Sequence, residues 1–219
     1  MPTTLIISDL HTPFEHEDAL DFLRDLKREY KPDFVVNIGD ETDQHGWSRH
    51  DPDPDAPGPK DELRLARKTL TRLRRLFPSM RVCTSNHGDR AARAAMRVRM
   101  PNEFLKALRD VYRAPGWEWR DEWVVDGVRY IHGEGFAGIN AARNAALKNW
   151  CNTVIGHVHS HAGIQFLSNG RKTIWGMNVG CLVDVKSVGL RYGRKYPDKP
   201  VLGTGVVVDG QPIFIPMGA

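Results

Sequence analysis

Cysteine is scarce in this chain: three in 219 residues, at Cys83, Cys151 and Cys181. Thiols that are odd in number and widely spaced argue against a disulfide scaffold or a zinc knuckle, and fit reduced, mostly buried side chains. Long apolar runs are missing as well. No stretch approaches the ~18 residues of a membrane-spanning helix, and the N-terminus has neither a basic start nor an apolar, signal-like core. The expectation is a protein that stays in the cytoplasm, away from membranes. With 41% apolar and 26% charged residues and a mean hydropathy of −0.45, the chain can bury a large core, and one domain over residues 1–219 is expected.

What the chain does have is a repeated local pattern in which a short apolar run ends and a polar residue able to bind a metal follows. Residues 4–8 precede Asp9 and His11, residues 34–39 precede Asp40, and residues 80–85 precede Asn86 and His87. Residues 128–131 precede His132, and residues 153–156 precede His157 and His159. Apolar runs of this length bounded by turn residues suit buried strands, and open α/β sheets place their sites outside the carboxyl ends of strands. Five strand ends are therefore expected to converge on one pocket. Asp, Asn and His offer oxygen and imidazole donors that suit Mn, Fe or Zn better than a soft thiolate site would. A carboxylate shared by two ions lets them sit about 3.5–4 Å apart, close enough to activate a water and stabilise a leaving oxygen together. Asp40 is the candidate for that bridge. Any one of these residues could be an ordinary polar side chain at a strand end; the ordered set is what points to a two-metal hydrolytic site.

The segments Asp9-Leu10-His11, Gly39-Asp40-Glu41-Thr42-Asp43, Asn86-His87, His132-Gly133 and Gly156-His157-Val158-His159 resemble the calcineurin-like metallophosphoesterase superfamily, in the family's order. The resemblance implies that Asp9, His11, Asp40 and His159 hold one divalent ion, and Asp40, Asn86, His132 and His157 a second. Manganese is the first expectation, with iron, zinc or nickel also compatible. It implies as well that His87 binds no metal but contacts the phosphate and protonates or stabilises the leaving oxygen, a task suited to a side chain that titrates near neutral pH. Protein phosphatases of this type carry an Arg after the Gly-Asp motif, where this chain has Gln44, and a Glu after the Asn-His pair, where it has Gly88; Ser85 replaces the usual Gly before that pair. The missing phosphate-clamping Arg argues against a serine/threonine phosphatase. The run Asn86-His87-Gly88-Asp89-Arg90 and the His132-Gly133-Glu134-Gly135 segment are more similar to repair-exonuclease-like and phage-encoded members.

Helical spacing of leucines predicts helices over 18–29 and 60–77, a helix or helix pair over 91–112 broken before Pro101, and a short helix over 141–150. The C-terminal part predicts strands over 173–179, 203–208 and 212–215. Two mixed sheets packed face to face with outer helices accommodate this order, and the resemblance implies the same four-layer αββα sandwich. Residues 44–59 hold Pro52, Pro54, Pro57 and Pro59 and no apolar period, which predicts a loop beside Asp40. That loop is either an ordinary surface segment or a lip in which His45, Trp47 or Arg49 touches substrate. His50 lies in it too, and His161 is a further substrate-contacting candidate.

Charge is distributed unevenly. Residues 1–61 hold six Lys/Arg against 15 Asp/Glu, a net −9, whereas residues 62–113 hold 14 against four, a net +10. Arg64, Arg67, Lys68, Arg72, Arg74 and Arg75 crowd one predicted helix, which a solvated helix face explains well enough. Arg90 and Arg93 instead follow the Asn-His pair directly and are candidates to bind phosphate, because clustered cations beside such a site neutralise a polyanionic backbone. Trp117 and Trp119 alternate on one predicted strand face; core packing is favoured over base stacking. Trp123, Trp150 and Trp175 are assigned to the core.

These readings give a dinuclear-metal-dependent phosphodiesterase acting on nucleic acid, a DNA nuclease, as the expected function. The alternative is a phosphomonoesterase or small-nucleotide phosphodiesterase with the same metal centre. A non-catalytic module on the same fold is disfavoured by the complete set of candidate ligands. The sequence carries no signal for an oligomeric state.

Overall fold

The first apolar run becomes β1 (Thr3–Ile7), buried along its whole length, as expected of a strand covered on both faces. In the computed structural model, which describes residues 2–49, 53–188, 190 and 197–218, β1 pairs in parallel with β2 (Phe34–Asn37). Beyond β2 lie β3 (Met80–Cys83) and β4 (Trp117–Arg120), also parallel. On the other side β1 meets β10 (Gly203–Val208), which forms a hairpin with β11 (Gln211–Pro216). The resulting six-stranded sheet runs β11-β10-β1-β2-β3-β4.

A second, five-stranded sheet runs β5-β6-β7-β9-β8. Its centre is parallel, with β6 (Val128–Ile131), β7 (Thr153–Ile155) and β9 (Thr173–Asn178). Its edges, β5 (Glu122–Val125) and β8 (Gly163–Ser168), are antiparallel. The inner faces of the two sheets meet in one apolar cluster, in which Ile6, Val36 and Ile38 pack with Val128, Tyr130, Val154 and Met177. Helix α1 (Ala19–Tyr30) turns Ala19, Leu20, Leu23 and Leu26 inward, and α2 (Pro59–Leu76) does the same with Ala66, Leu70 and Leu73. Both cover the outer face of the six-stranded sheet. Helix α5 (Ala141–Asn149) covers the other sheet with alanines 141, 142, 145 and 146. Two mixed sheets between helical layers are the αββα sandwich expected from the sequence.

Boundaries differ most in the basic middle segment. Helix α3 (Arg90–Arg97) stops well before Pro101, and the chain continues through a 3-10 turn at Asn102–Phe104 to the single turn α4 (Leu108–Val111). Val98, Met100 and Phe104 are exposed, so no apolar stripe remains to hold a longer helix against the sheet. On α2, Arg67 and Arg74 donate to the backbone carbonyls of Val111 and Arg113, so part of its cationic run ties down the α4 segment. The 44–59 segment holds a 3-10 turn at His45–Trp47, fixed by Glu62, whose carboxylate accepts the backbone N–H groups of His45 and Gly46 at 2.7 and 3.0 Å. His50 and Pro52 lie outside the described residues. Among the described residues, no helix is long and apolar enough to cross a membrane.

The alanine face of α5 follows from a close approach at Gly176 in β9, where an added Cβ would run into the Ala142 carbonyl and come within 2.9 Å of the Arg143 nitrogen. Backbone atoms cannot yield as a flexible side chain can, so Gly176→Ala must push α5 off the sheet, at a cost of about 1–3 kcal/mol. Urea unfolding checks this: the midpoint should fall while the slope stays constant. An unchanged midpoint would show that α5 does not need this close contact.

Candidate metal centre

Every element that carries a candidate ligand ends at the same edge of the two sheets. Asp9 and His11 follow β1, Asp40 follows β2, Asn86 follows β3, His132 follows β6, and His157 and His159 follow β7. The chain turns abruptly after several of these strands: Asp9, His11, Asp40 and His157 have φ of 49°, 48°, 48° and 65°. Left-handed backbone costs roughly 1–3 kcal/mol per non-glycine residue, and such positions cluster at functional sites. Gly39, at φ +111°, precedes Asp40 where a Cβ would lie 2.6 Å from Ser85 Cβ and 2.8 Å from His132 Nδ1. Glycine there lets β2, β3 and β6 close on one point.

Among the described residues three groups of donor atoms result, each within 4.8 Å: Asp9, His11 and His159; His11, Asp40 and His87; and Asp40, His132 and His157. Asp40 belongs to the second and third groups, and His11 joins the first to the second. His11 Nε2 lies 3.3 Å from His159 Nε2, and His132 Nε2 lies 3.1 Å from His157 Nδ1 and 2.7 Å from Asn86 Oδ1. His159 Nε2 is 3.1 Å from Asp9 Oδ1. Ring nitrogens that face one another in pairs repel unless a proton or cation lies between them, and this borderline set of imidazoles and oxygens suits first-row divalent ions. The residues present therefore fit a metal centre of two adjoining sites, one made by Asp9, His11, Asp40 and His159, the other by Asp40, Asn86, His132 and His157.

The opposite ring nitrogens are fixed from behind. His11 Nδ1 is 2.8 Å from Asp43 Oδ1, and His132 Nδ1 is 3.0 Å from the Ile38 carbonyl, which assigns a proton to Nδ1 and makes Nε2 the atom that would face an ion. His87 Nδ1 lies 2.8 Å from the Asp43 carbonyl and 3.0 Å from its carboxylate. Asp43 thus orients His11 and His87 together, although the sequence reading assigned it no role; the cue was an acid three residues beyond Asp40 in a sharply turned motif. Ser85 was noted only for replacing a glycine, yet its Oγ accepts the backbone N–H of Asp40 at 2.9 Å. Ser8 likewise hydrogen-bonds Asp9. Gln44, which stands where the resemblance led us to expect a clamping Arg, donates to the Gly88 carbonyl and accepts the Ala91 N–H, stitching the Asp40 loop to the start of α3.

Of Arg90, Arg93, His45 and His161, Arg90 is nearest the centre. Its Nη1 donates to the Asp43 carbonyl at 2.8 Å, and its Nη2 lies 3.0 Å from His87 Nε2. Arg93 pairs with Glu134 at 3.0 Å. His45 sits behind Asp43, with Nδ1 3.4 Å from Asp43 Oδ2, and His161 Nδ1 bonds Ser160 Oγ at 2.9 Å. Trp117 is core, and Trp119 packs against it and donates its indole N–H to the buried Glu41. Trp123 and Trp175 are buried as expected, while Trp150 caps α5 at a half-buried position.

The family model described as calcineurin-like phosphoesterase matches residues 2–163, which include every candidate ligand. The chain belongs to the calcineurin-like phosphoesterase family. No curated protein matches the sequence significantly. Solved structures similar to this phosphoesterase include vacuolar protein sorting 29 from Cryptosporidium parvum, with 14% identity, 97% of this chain and 94% of that one covered, and a TM-score of 0.47. The phosphoesterase YfcE from E. coli has 15% identity, coverage of 94% and 88%, and a TM-score of 0.43. Nuclease MPE from Pseudomonas putida has 14% identity, coverage of 98% and 87%, and a TM-score of 0.41. Likeness at this level carries no functional weight, and the phosphoesterase assignment rests on the family match.

Burial pushes the Asp40 carboxyl up, but His132, His87 and His11 overrule it and hold it well below the ordinary carboxylate range. Asp43 is held low in the same way, against its burial, by hydrogen bonds from His11, His45 and His87. For His132, burial favours the neutral ring, yet Asp40 and Asp9 lift its pKa to about 9. Burial and the charge of His132 push His157 the other way. The metal-free phosphoesterase therefore holds a proton on His132 at neutral pH, and an ion binding there must displace it. Affinity for Mn²⁺ should rise about tenfold per pH unit between pH 7 and 8 and level off above about 9. Calorimetric titration in two buffers of different ionisation enthalpy should read about one proton released per chain at pH 7; no release and a flat profile would contradict it. For Asp43→Ala, which releases both His11 and His87, metal affinity or turnover should fall 10–100-fold with the fold retained by circular dichroism. Unchanged values would remove Asp43 from the centre.

Proposed function

We propose that this phosphoesterase is a dinuclear-metal-dependent phosphodiesterase that cleaves DNA, with manganese as the first candidate ion. The observation that supports a polyanionic substrate is the placement of α3, whose first residue reaches His87 while Arg93 and Arg97 continue along the same side beside Asn86. A clamping guanidinium is thus supplied by Arg90 from a different element than the resemblance led us to expect. The centre also opens into a trough of about 1300 Å³ that passes Asp40, Asn86, His157 and His159. That exceeds the ~300–1,000 Å³ typical of a small-ligand pocket and suits a stretch of polymer.

Bound ions would supply Lewis acidity at the scissile phosphate and activate the attacking water. The chain's own groups do the rest. With Nδ1 held by Asp43, His87 presents only Nε2 to the trough, and Asp40 and Asp43 raise its pKa against the effect of burial, favouring the protonated ring. Without substrate, Arg90 Nη2 lies 3.0 Å from that Nε2, a donor contact that holds only while Nε2 is unprotonated. A phosphate oxygen is a stronger, charged acceptor, so substrate draws Arg90 away and frees Nε2 to take up a proton from solvent, which it then gives to the departing sugar oxygen.

The test is Mn-dependent hydrolysis of linear single- and double-stranded DNA, run beside a small phosphodiester and a phosphomonoester. Wild type should cut DNA, His87→Ala should lose about 10²–10⁴-fold in rate, and Asp40→Asn should lose activity altogether. Turnover of the small esters alone would replace this reading with the alternative of a phosphomonoesterase or small-nucleotide phosphodiesterase. Wild-type rates in Asp40→Asn would refute both.

A further inference from the structure

Beside the trough lies a second, smaller cleft of about 230 Å³, lined by Trp47, Ser48, Arg49, Asn86, Arg90, Arg93 and Arg97. Asn86 lines both cavities, so the cleft borders the candidate metal centre. Its walls come from the 3-10 turn at His45–Trp47 and from α3, which pack against each other. Trp47 and Arg49 have no part in the proposed chemistry at the metal centre.

Two features of this cleft call for a ligand. The first is Trp47, a large indole left 43% exposed. The turn that carries it is rigidly placed all the same, because the buried carboxylate of Glu62 holds the two backbone N–H groups before it. An indole on a fixed turn, facing a cleft instead of a core, presents a π-face at little further entropic cost. The second is the state of the four guanidinium groups. Arg90 and Arg93 have internal partners in Asp43 and Glu134, whereas among the described residues Arg49 and Arg97 form no ion pair. Two cations without an ion pair among the described residues, lining one cleft with an exposed aromatic ring, match the two parts of a nucleotide, a phosphate and a flat base.

We propose that this cleft is a subsite for one unpaired nucleotide of a DNA strand, next to the scissile phosphate on the Asn86 side. Its base stacks on Trp47, and its phosphate is held by Arg97 and Arg49. A paired base has both faces covered by its neighbours in the duplex, so the cleft selects single-stranded or frayed DNA. The small volume has the same consequence: it admits one nucleotide and no helix. This subsite rests on the nuclease reading above and sharpens it to a strand type.

Binding can be measured separately from cleavage by fluorescence anisotropy, using the metal-loaded protein and a labelled phosphorothioate oligothymidine that resists hydrolysis. Stacking and ion pairing respond differently to salt, which separates the two roles. Trp47→Ala should weaken binding about tenfold with the slope of log K against log salt unchanged, and Trp47→Phe should restore most of it. Arg97→Ala should reduce that slope by about 0.7, the value for one phosphate contact on a single strand. A blunt duplex should bind more weakly than the single strand and should not respond to Trp47→Ala. The subsite is overturned if Trp47→Ala binds like wild type, if blunt duplex binds as tightly as single strand, or if an oligoribonucleotide is preferred over DNA. Failure of the nuclease reading looks different: no DNA is cut by the metal-loaded wild type, while Trp47-dependent binding of single strand persists.

Discussion

The arrangement of this molecule depends on one buried charge. Asp40 is 1% exposed and ionised, and an ionised carboxylate taken out of water is strongly destabilising unless it is paired and hydrogen-bonded. Its partners all come from other strand ends: the backbone N–H of His87 donates to it, while the His11 and His132 rings lie 3.6 and 3.4 Å away. None of these groups reaches Asp40 unless β1, β2, β3 and β6 finish at the same edge, so the convergence of these strand ends is what satisfies the carboxylate. The left-handed backbone at Asp9, His11, Asp40 and His157 opposes folding by several kcal/mol in sum. It is offset by the apolar layer between the sheets and, in the loaded protein, by whatever free energy the ions contribute through binding only the folded state.

A second layer of residues converts that cluster of charge into a directed site. Asp43 faces four cationic or titratable groups, His11, His45, His87 and Arg90. It sets the ring orientation of a candidate metal ligand and of the candidate proton donor together. Gln44 then ties the same loop to α3, so that Arg90 arrives beside His87. A change in the Asp40–Gln44 turn should therefore be felt simultaneously at the metals, at the proton donor and at the phosphate clamp. The phosphoesterase core supplies the first two; in the proposed nuclease the basic helix and the Trp47 turn would give this chain its own approach to substrate.

Much of this was legible in the sequence because burial imposes simple patterns. Runs such as Thr4–Ile7 and Val128–Ile131 are mostly buried and bounded by turn residues, so their ends and the polar residues beyond them stand out. Helices α1 and α2 showed their leucine periodicity for the same reason. What could not be read has equally physical causes. The edge strand β8 carries mixed, half-exposed side chains and no clean alternation. Helix α3 ends at Arg97 because nothing covers the residues beyond it, a tertiary fact that local sequence does not encode. Asp43, Ser85 and Gln44 act through contacts 32 to 47 residues away in the chain, and their types alone are ordinary turn chemistry. The charge count overstated the role of α2, since Arg67 and Arg74 are spent on backbone carbonyls.

The two candidate sites share Asp40, so two ions bound there would be close enough to couple magnetically. Electron paramagnetic resonance of the protein loaded with two equivalents of Mn²⁺ tests it most directly. The account predicts the multiline spectrum of an exchange-coupled pair, replaced by signals of isolated ions in Asp40→Asn. Isolated-ion signals from the fully loaded wild type would mean that the strand ends build separate sites, and the two-metal account would be wrong.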